Sequence, residues 1–494
     1  MEITKLGRDV KVSHEAAAEF TLPDYLPAVS RLLSASCRVV PEGIYLSESN
    51  GIIAEAGGLL LYTVYWTSDE KTSIVDGEDV SPPAVCSATL KGEYSTSVSL
   101  GSFDETPVCR SETCIGGVIC RVSGPRRLQI RTKMSTRVMA EVSAPTKIPQ
   151  ECEADGTEMK IASLVTMKSV SGSAHDLLCA VSLPPSTNVL SCDAWIGHVE
   201  CAAVSASECR CRGKITARML SVEEGKITSD IASAEFEESV MLEGSAPQGG
   251  TLYAVGRIAS VDVVDDAASG TRAEVTYALT AECTAPETVS VTADAYNCRV
   301  PTSASYKDTA YLTPLLPVSC TLSVNESAGV RASGEGFVTS ADAVIDEVRL
   351  DSGRLCLTGR VTGTALFDTN GAYESTSFSV PWKYDVPCGG DADGELYFRG
   401  EAQVASVSCR AGGELEIDAE LSINGAAALT RRENVLDSLV FMPDGEEKKR
   451  GITVYYPDAD EETWDIAKKF RVPLADVATD ENMSRGKPSR VIVI

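Results

Sequence analysis

The chain repeats itself, and the repeat constrains its fold more tightly than any single motif does. Arg212 to Val240, RGKITARMLSVEEGKITSDIASAEFEESV, aligns without a gap on Thr358 to Val386, TGRVTGTALFDTNGAYESTSFSVPWKYDV, at an offset of 146 residues (358 − 212). Gly213 falls on Gly359, Ile215 on Val361, Leu220 on Leu366, Gly225 on Gly371, Phe236 on Trp382 and Val240 on Val386. At an offset of 156 (213 − 57) the frame reaches the N-terminal third, where Gly57, Leu59 and Val64 fall on Gly213, Ile215 and Leu220. A downstream block recurs as well: GTLYAVGRIASVDV from Gly250 resembles GELYFRGEAQVASVSC from Gly394, with GVICRVSGPRRLQIRTKM from Gly117 as the first-copy counterpart. The structural glycines expected at matching places are Gly57, Gly213 and Gly359, with Gly225 and Gly371 at the turns.

The pattern inside each copy is that of strands. Apolar residues alternate with polar ones, as at Leu415, Ile417, Ala419 and Leu421, which is the period of a half-buried strand. Glu224-Gly225, Asn370-Gly371, Ser269-Gly270 and Gly412-Gly413 punctuate the runs and suit tight hairpins. The expected fold is mainly β: three tandem antiparallel, sandwich-like repeats over residues 1–147, 148–300 and 301–430. A charged linker over 431–450 and a small module over 451–494 follow. Helix is expected at Asp24 to Leu33, from the spacing of Leu26, Val29 and Leu33, and near the C-terminus.

Charge and cysteine content then exclude several roles. A formal net charge of −27 opposes the wrapping of nucleic acid. The first twenty residues lack the apolar stretch of a secretory signal, and no 18-residue apolar run is present, so a cytoplasmic chain without a transmembrane segment is expected. Seventeen cysteines, an odd number in a long chain, point to reduced core-filling thiols. Cys209 and Cys211, two apart, are expected to face one core without metal.

FTLPDYLPAVSRLLSASCRV, from Phe20 to Val39, resembles the opening motif of SPOCS domains, and GLLLYTVYWTSDE, from Gly58 to Glu70, is similar to the strand that follows it. ITVYYPDADEETWDIAKKFRVPLADVATDEN, from Ile452 to Asn482, resembles LysM, a βααβ module. Its core would comprise Trp464, Ile466, Ala467 and Phe470 on one helix face, with Pro473 opening a second helix and Val491 to Ile494 closing the sheet. The family's Gly-Asp-Thr-Leu turn falls on Asp460, Glu461, Glu462 and Thr463, with Asp460 an expected helix cap. Asn482 is retained, whereas acids replace the glycine and the capping threonine. Glycan binding is therefore doubtful, and the turn residues, with Asn482, are expected to contact a protein partner instead.

His14, His175 and His198 stand outside any nucleophile motif, and no phosphate loop or HExxH occurs, so no catalytic residue, cofactor or metal site is expected. SPOCS repeats followed by a terminal LysM module resemble the spore-coat morphogenesis family of spore-forming Firmicutes. The resemblance implies a non-enzymatic scaffold at the forespore surface in the mother-cell cytoplasm. Its implied partners are other coat morphogenetic proteins, including the ATPase of the coat basement layer. The rival expectation is a cell-wall protein binding peptidoglycan or chitin through LysM.

Overall fold

The computed structural model describes residues 2–48, 51–68, 85–103, 105–145, 150–186, 188–223, 226–266, 270–369, 372–388, 394–442, 453–456, 461–479 and 491–493. Among them the chain is mainly β, and the paired strands run antiparallel. The first copy contains β1 (Glu2–Thr21), β2 (Arg31–Glu48), β3 (Ile52–Thr67), β4 (Cys86–Gly101), β5 (Val108–Gly124) and β6 (Arg127–Pro145), in sheets ordered β1-β6-β5 and β2-β3-β4. The second contains β7 (Thr157–Ser182), β8 (Val189–Ile196), β9 (Glu200–Ala203), β10 (Glu208–Glu223), β11 (Lys226–Met241), β12 (Thr251–Asp266) and β13 (Gly270–Asn297). Its sheets run β7-β13-β12 and β8-β10-β11, and β9 also pairs with β10.

The third copy contains β14 (Thr302–Ser333), β15 (Glu335–Asp351), β16 (Arg354–Thr369), β17 (Ala372–Pro387) and β18 (Glu395–Phe441). Here β15-β16-β17 form one sheet, and β18 folds back on itself so that Gly400 lies against Gly425 while its second half pairs with β14. In every copy the first strand therefore pairs with the last, and a three-stranded sheet is enclosed between them.

Alternation explains why the two sheets of a copy stack. Leu355, Leu357, Val361 and Ala365 of β16 face Leu415, Ile417, Ala419 and Leu421 of β18 in one core. Ile215, Ala217 and Met219 of β10 meet Val275, Tyr277 and Leu279 of β13, and Leu60, Tyr62 and Val64 of β3 meet Leu128 and Ile130 of β6. Each large side chain so buried contributes about 1.5–3 kcal/mol, and opposed inner faces are the physics of a sandwich.

The middle strands β3, β10 and β16 are each 16 residues long. Register corrects one expected equivalence. Gly213 stands opposite Phe236, and Gly359 opposite Trp382, but in the first copy the glycine opposite an aromatic, Tyr94, is Gly58 rather than Gly57. Gly58 pairs with Pro41 beside an irregularity in β2, as Gly359 pairs with Ile345 beside one in β15. A β-carbon on Gly58 would strike the Val40 carbonyl, and one on Gly359 the Val344 carbonyl. Adjacent glycines look alike in sequence; the close backbone approach distinguishes them. Gly225 and Gly371 lie outside the described residues.

Two further expectations fail. Residues 24–33 form a turn and the start of β2, not a helix. Pro23 and Pro27 restrict helix here, and the backbone is pinned instead to the β5–β6 hairpin by Leu22 N–H to Arg126 O (2.8 Å) and Val29 N–H to Pro125 O (2.7 Å). The linker expected over 431–450 is strand as far as Phe441, because Arg431 to Phe441 pair with Tyr311 back to Thr302. Residues 443–450 lie outside the described residues.

The C-terminal module contains β19 (Thr453–Tyr455), α1 (Thr463–Phe470), β20 (Val477–Thr479) and β21 (Val491–Val493), in a sheet ordered β19-β21-β20. The helix starts at Thr463 with Glu462 as N-cap, whose backbone N–H is accepted by Asp465 Oδ2 at 3.0 Å. It stops at Arg471, which takes the left-handed conformation (φ 53°), and Pro473 follows. The expected second helix is only a 3₁₀ turn, Leu474–Asp476, and Val477 to Thr479 form a third strand instead. The order is therefore not βααβ. Threonine and valine suit a strand, and β21 supplies the pairing.

Candidate functional site

The face of α1 expected to be a LysM core is buried, but partly against the repeats. Trp464, Ile466 and Ala467 share a core with Tyr296 and Cys298 of the second copy, and Phe470 packs at its edge. The Trp464 indole N–H donates to Asp294 Oδ2 at 2.8 Å, and Tyr296 donates its hydroxyl to the Val472 carbonyl at 2.7 Å. Lys468 Nζ lies 2.7 and 2.8 Å from the two Asp294 oxygens, while Tyr306 donates to Asp294 Oδ1 at 2.7 Å. Burial pushes the Asp294 carboxyl up, yet hydrogen bonds from Lys468, Trp464 and Tyr306 outweigh it and hold the group below its usual range. Asp294, Tyr296 and Tyr306 escaped the sequence reading, because nothing local connects them with a helix more than 150 residues away.

The turn assigned to a partner is engaged within the molecule where it is described. Glu461 lies 3.5 Å from Lys469 and accepts from the Tyr455 hydroxyl at 3.2 Å. Glu462 pairs with Lys160 of β7 at 2.9 Å. Thr463 opens the helix. Asp460 and Asn482 lie outside the described residues; the N-cap of α1 is Glu462.

A second site lies where the three copies meet. One apolar cluster draws Leu33, Tyr65 and Val85 from the first copy, Leu220 and Ile227 from the second, and Phe337, Leu366 and Tyr373 from the third. Nearby, a cavity of about 210 Å³ is lined by β2 and β5, β8 and β12, and β15 and β18, so each copy contributes two strands. Its walls carry Arg38, Glu112, Arg257, Asp342 and Glu401. Arg257 Nη2 lies 2.6 Å from Glu401 Oε2, and Glu401 raises the arginine's pKa. Burial pushes Asp342 up; burial and the neighbouring Glu401 do the same to Glu112.

A larger cavity of about 440 Å³ shares Glu112, Arg257 and Glu401 with the first and adds Arg110, Glu282 and Arg399. Arg399 donates to Glu141 at 2.7 and 2.8 Å and also to Glu282, which Arg110 meets as well. Tyr397 donates its hydroxyl to Glu141 at 2.7 Å. These charges tie β18 of the third copy to β6 of the first and β13 of the second.

What such an interior can do chemically follows from its groups. Cys114 Sγ lies 3.9 Å from Glu112, but burial and that carboxylate push the thiol up to about 12, the reverse of an activated nucleophile. His14 bonds the Thr136 hydroxyl at 2.8 Å, and burial lowers its pKa. His198 sits in the break between β8 and β9. Cys209 and Cys211 are both fully buried in the second core, where Cys201 of β9 joins them. No family model, curated protein or solved structure matches the chain. No helix among the described residues is long and apolar enough to cross a membrane.

Proposed function

We propose that this chain is a non-enzymatic scaffold in endospore coat assembly, holding coat morphogenetic proteins, the basement-layer ATPase among them, at the forespore surface. The observation carrying the scaffold reading is the common interior, in which a single apolar cluster and one buried charge network use all three copies. A body so joined holds its outer strands in fixed mutual positions, as a multivalent adaptor requires. The coat assignment rests on the SPOCS-like segments of Phe20 to Val39 and Gly58 to Glu70 and on the LysM-like helix around Trp464.

The partner surface moves away from the acidic turn, since Glu461 and Glu462 are already paired. On β19 and just beyond it, Val454 and Tyr456 are more than half exposed, while Tyr455 between them packs on Phe470. A fluorescent fusion followed through sporulation tests the reading: accumulation around the forespore is expected, and uniform mother-cell fluorescence would refute it. Saturable binding of the full chain to chitin or peptidoglycan fragments would favour the glycan-binding alternative.

A further inference from the structure

The three thiols of the second core form a cluster that filling space does not require. Cys201 on β9 stands directly opposite Cys211 on β10, with their sulfurs 3.6 Å apart. Cys209, two residues earlier on β10, presents its sulfur to the same side, and all three sulfurs lie within 4.8 Å of one another. A tight hairpin fixes them: Val204 and Ser205 N–H groups donate to the Glu208 carbonyl at 2.9 and 3.1 Å, bringing β9 back along β10. The cluster has a mouth, because Cys209 and Cys211 are fully buried but Cys201 is only half-buried.

We propose that Cys201, Cys209 and Cys211 form a three-thiolate site for a soft monovalent cation of the copper(I) type. Thiolate sulfur is the donor that soft ions select. With a metal–sulfur distance of about 2.3 Å, three sulfurs around one ion stand about 4 Å from each other. The present spacings reach that geometry with sulfur shifts of under about 1 Å, within the play of a cysteine side chain. Zinc fits less well, since structural zinc takes four protein ligands, and among the described residues the cluster offers three. Binding is ligand exchange without redox change. Each sulfur that joins the ion as a thiol releases its proton to solvent, and three sulfur–metal bonds form.

The test is anaerobic titration of the reduced full-length protein with copper(I) against a copper(I)-specific chelator, with zinc(II) in parallel. One copper per chain is expected, with apparent affinity falling at least tenfold in C201A, C209A and C211A and unchanged in the distant C356A. Because C209A and C211A alter a packed core, C201A at the mouth is the decisive variant, and circular dichroism verifies its fold. Copper uptake that is absent, or that survives in C201A, would overturn the proposal. So would zinc bound more tightly than copper, or a thiol count two short in unreduced wild type and complete in C201A, which marks a Cys201–Cys211 disulfide.

Discussion

Replacing Arg399 with methionine removes a cation that all three copies share while retaining much of its packing volume. The guanidinium lies 2.7 Å from Glu141 and contacts Glu282, and the three side chains are only 4, 8 and 4% exposed. At an effective dielectric of about 20, charges 4 Å apart attract by about 4 kcal/mol. Arginine's own desolvation offsets part of this, but the variant leaves Glu141 buried with Tyr397 and a more distant Arg110. Loss of one partner of a buried pair costs about 3–5 kcal/mol, and R399M should fall in that range at neutral pH. Glu141 sets the sign of the pH effect. Burial raises its pKa, but Arg399 and Arg110 outweigh burial and leave it depressed in the folded protein. That contribution is present above the unfolded pKa and is lost as pH falls through the folded one. The gap between wild type and R399M should therefore narrow below the usual carboxylate range. Urea unfolding of wild type, R399M, E141Q and the double variant, each at several pH values, measures both effects. A loss under about 1 kcal/mol at pH 7, or a gap that widens in acid, would refute this account of the junction.

Gly359→Ala should destabilise by about 1–3 kcal/mol or more, since its β-carbon strikes the Val344 carbonyl and the Trp382 ring; Gly412→Ala, with open space around it, should be near neutral in the same thermal melts. Asp294→Ala strips the Trp464 indole, Lys468 and Tyr306 of an acceptor. At about 1–3 kcal/mol for an unsatisfied buried donor, it should speed limited proteolysis of the C-terminal module severalfold or more while the repeats unfold as before. Arg218, buried over the Trp195 ring at 4.5 Å, donates Nη1 to the Val407 carbonyl at 3.4 Å, but its nearest carboxylate, Asp193, is 4.0 Å away and Nε and Nη2 have no hydrogen-bond partners. R218M should therefore cost at least about 2 kcal/mol less than R399M in urea unfolding, because a poorly compensated cation gives up less when removed.

How much was legible depends on how far apart the interacting residues lie in sequence. Alternation and turn glycines are local, so the strands around Leu415 to Leu421 and the hairpin between Glu223 and Lys226 could be read directly. The repeat frame carried glycine positions to within one residue, and erred where Gly57 and Gly58 adjoin. The helix expected at Asp24 to Leu33 does not form because two prolines, and a backbone held by Arg126 and Pro125, override the apolar spacing. For the cysteine cluster a signal did exist: SASE, from Ser205 to Glu208, is a turn that folds Cys201 onto Cys211. Reading Cys209 and Cys211 as an isolated pair missed it. The Asp294 dock had no signal, since one carboxylate among 71 acidic residues carries nothing that marks it.

The buried charges bear on why three copies should share an interior at all. Each copy already has an apolar core of its own, so stability alone does not call for Arg399, Glu141 and Glu282 to be placed where water is excluded. Apolar side chains of similar volume would hold the copies together as well or better, but would tolerate sliding. A bidentate guanidinium tolerates little, because its donors must meet carboxylates from two other copies at once. The network therefore fixes which face meets which, and with it the relative positions of β4, β11 and β17, one edge strand of each enclosed sheet. Two of them are blunted against indiscriminate pairing, β11 by Asp230, Glu235 and Glu237 and β17 by Pro381. Fixed geometry combined with protected edges suits an assembly platform that engages chosen partners at several points. The separation of roles is testable in R399M: under conditions where all three cores stay folded by circular dichroism, loss of the forespore recruitment proposed above would mark the arrangement of the copies, rather than any one copy, as the functional unit.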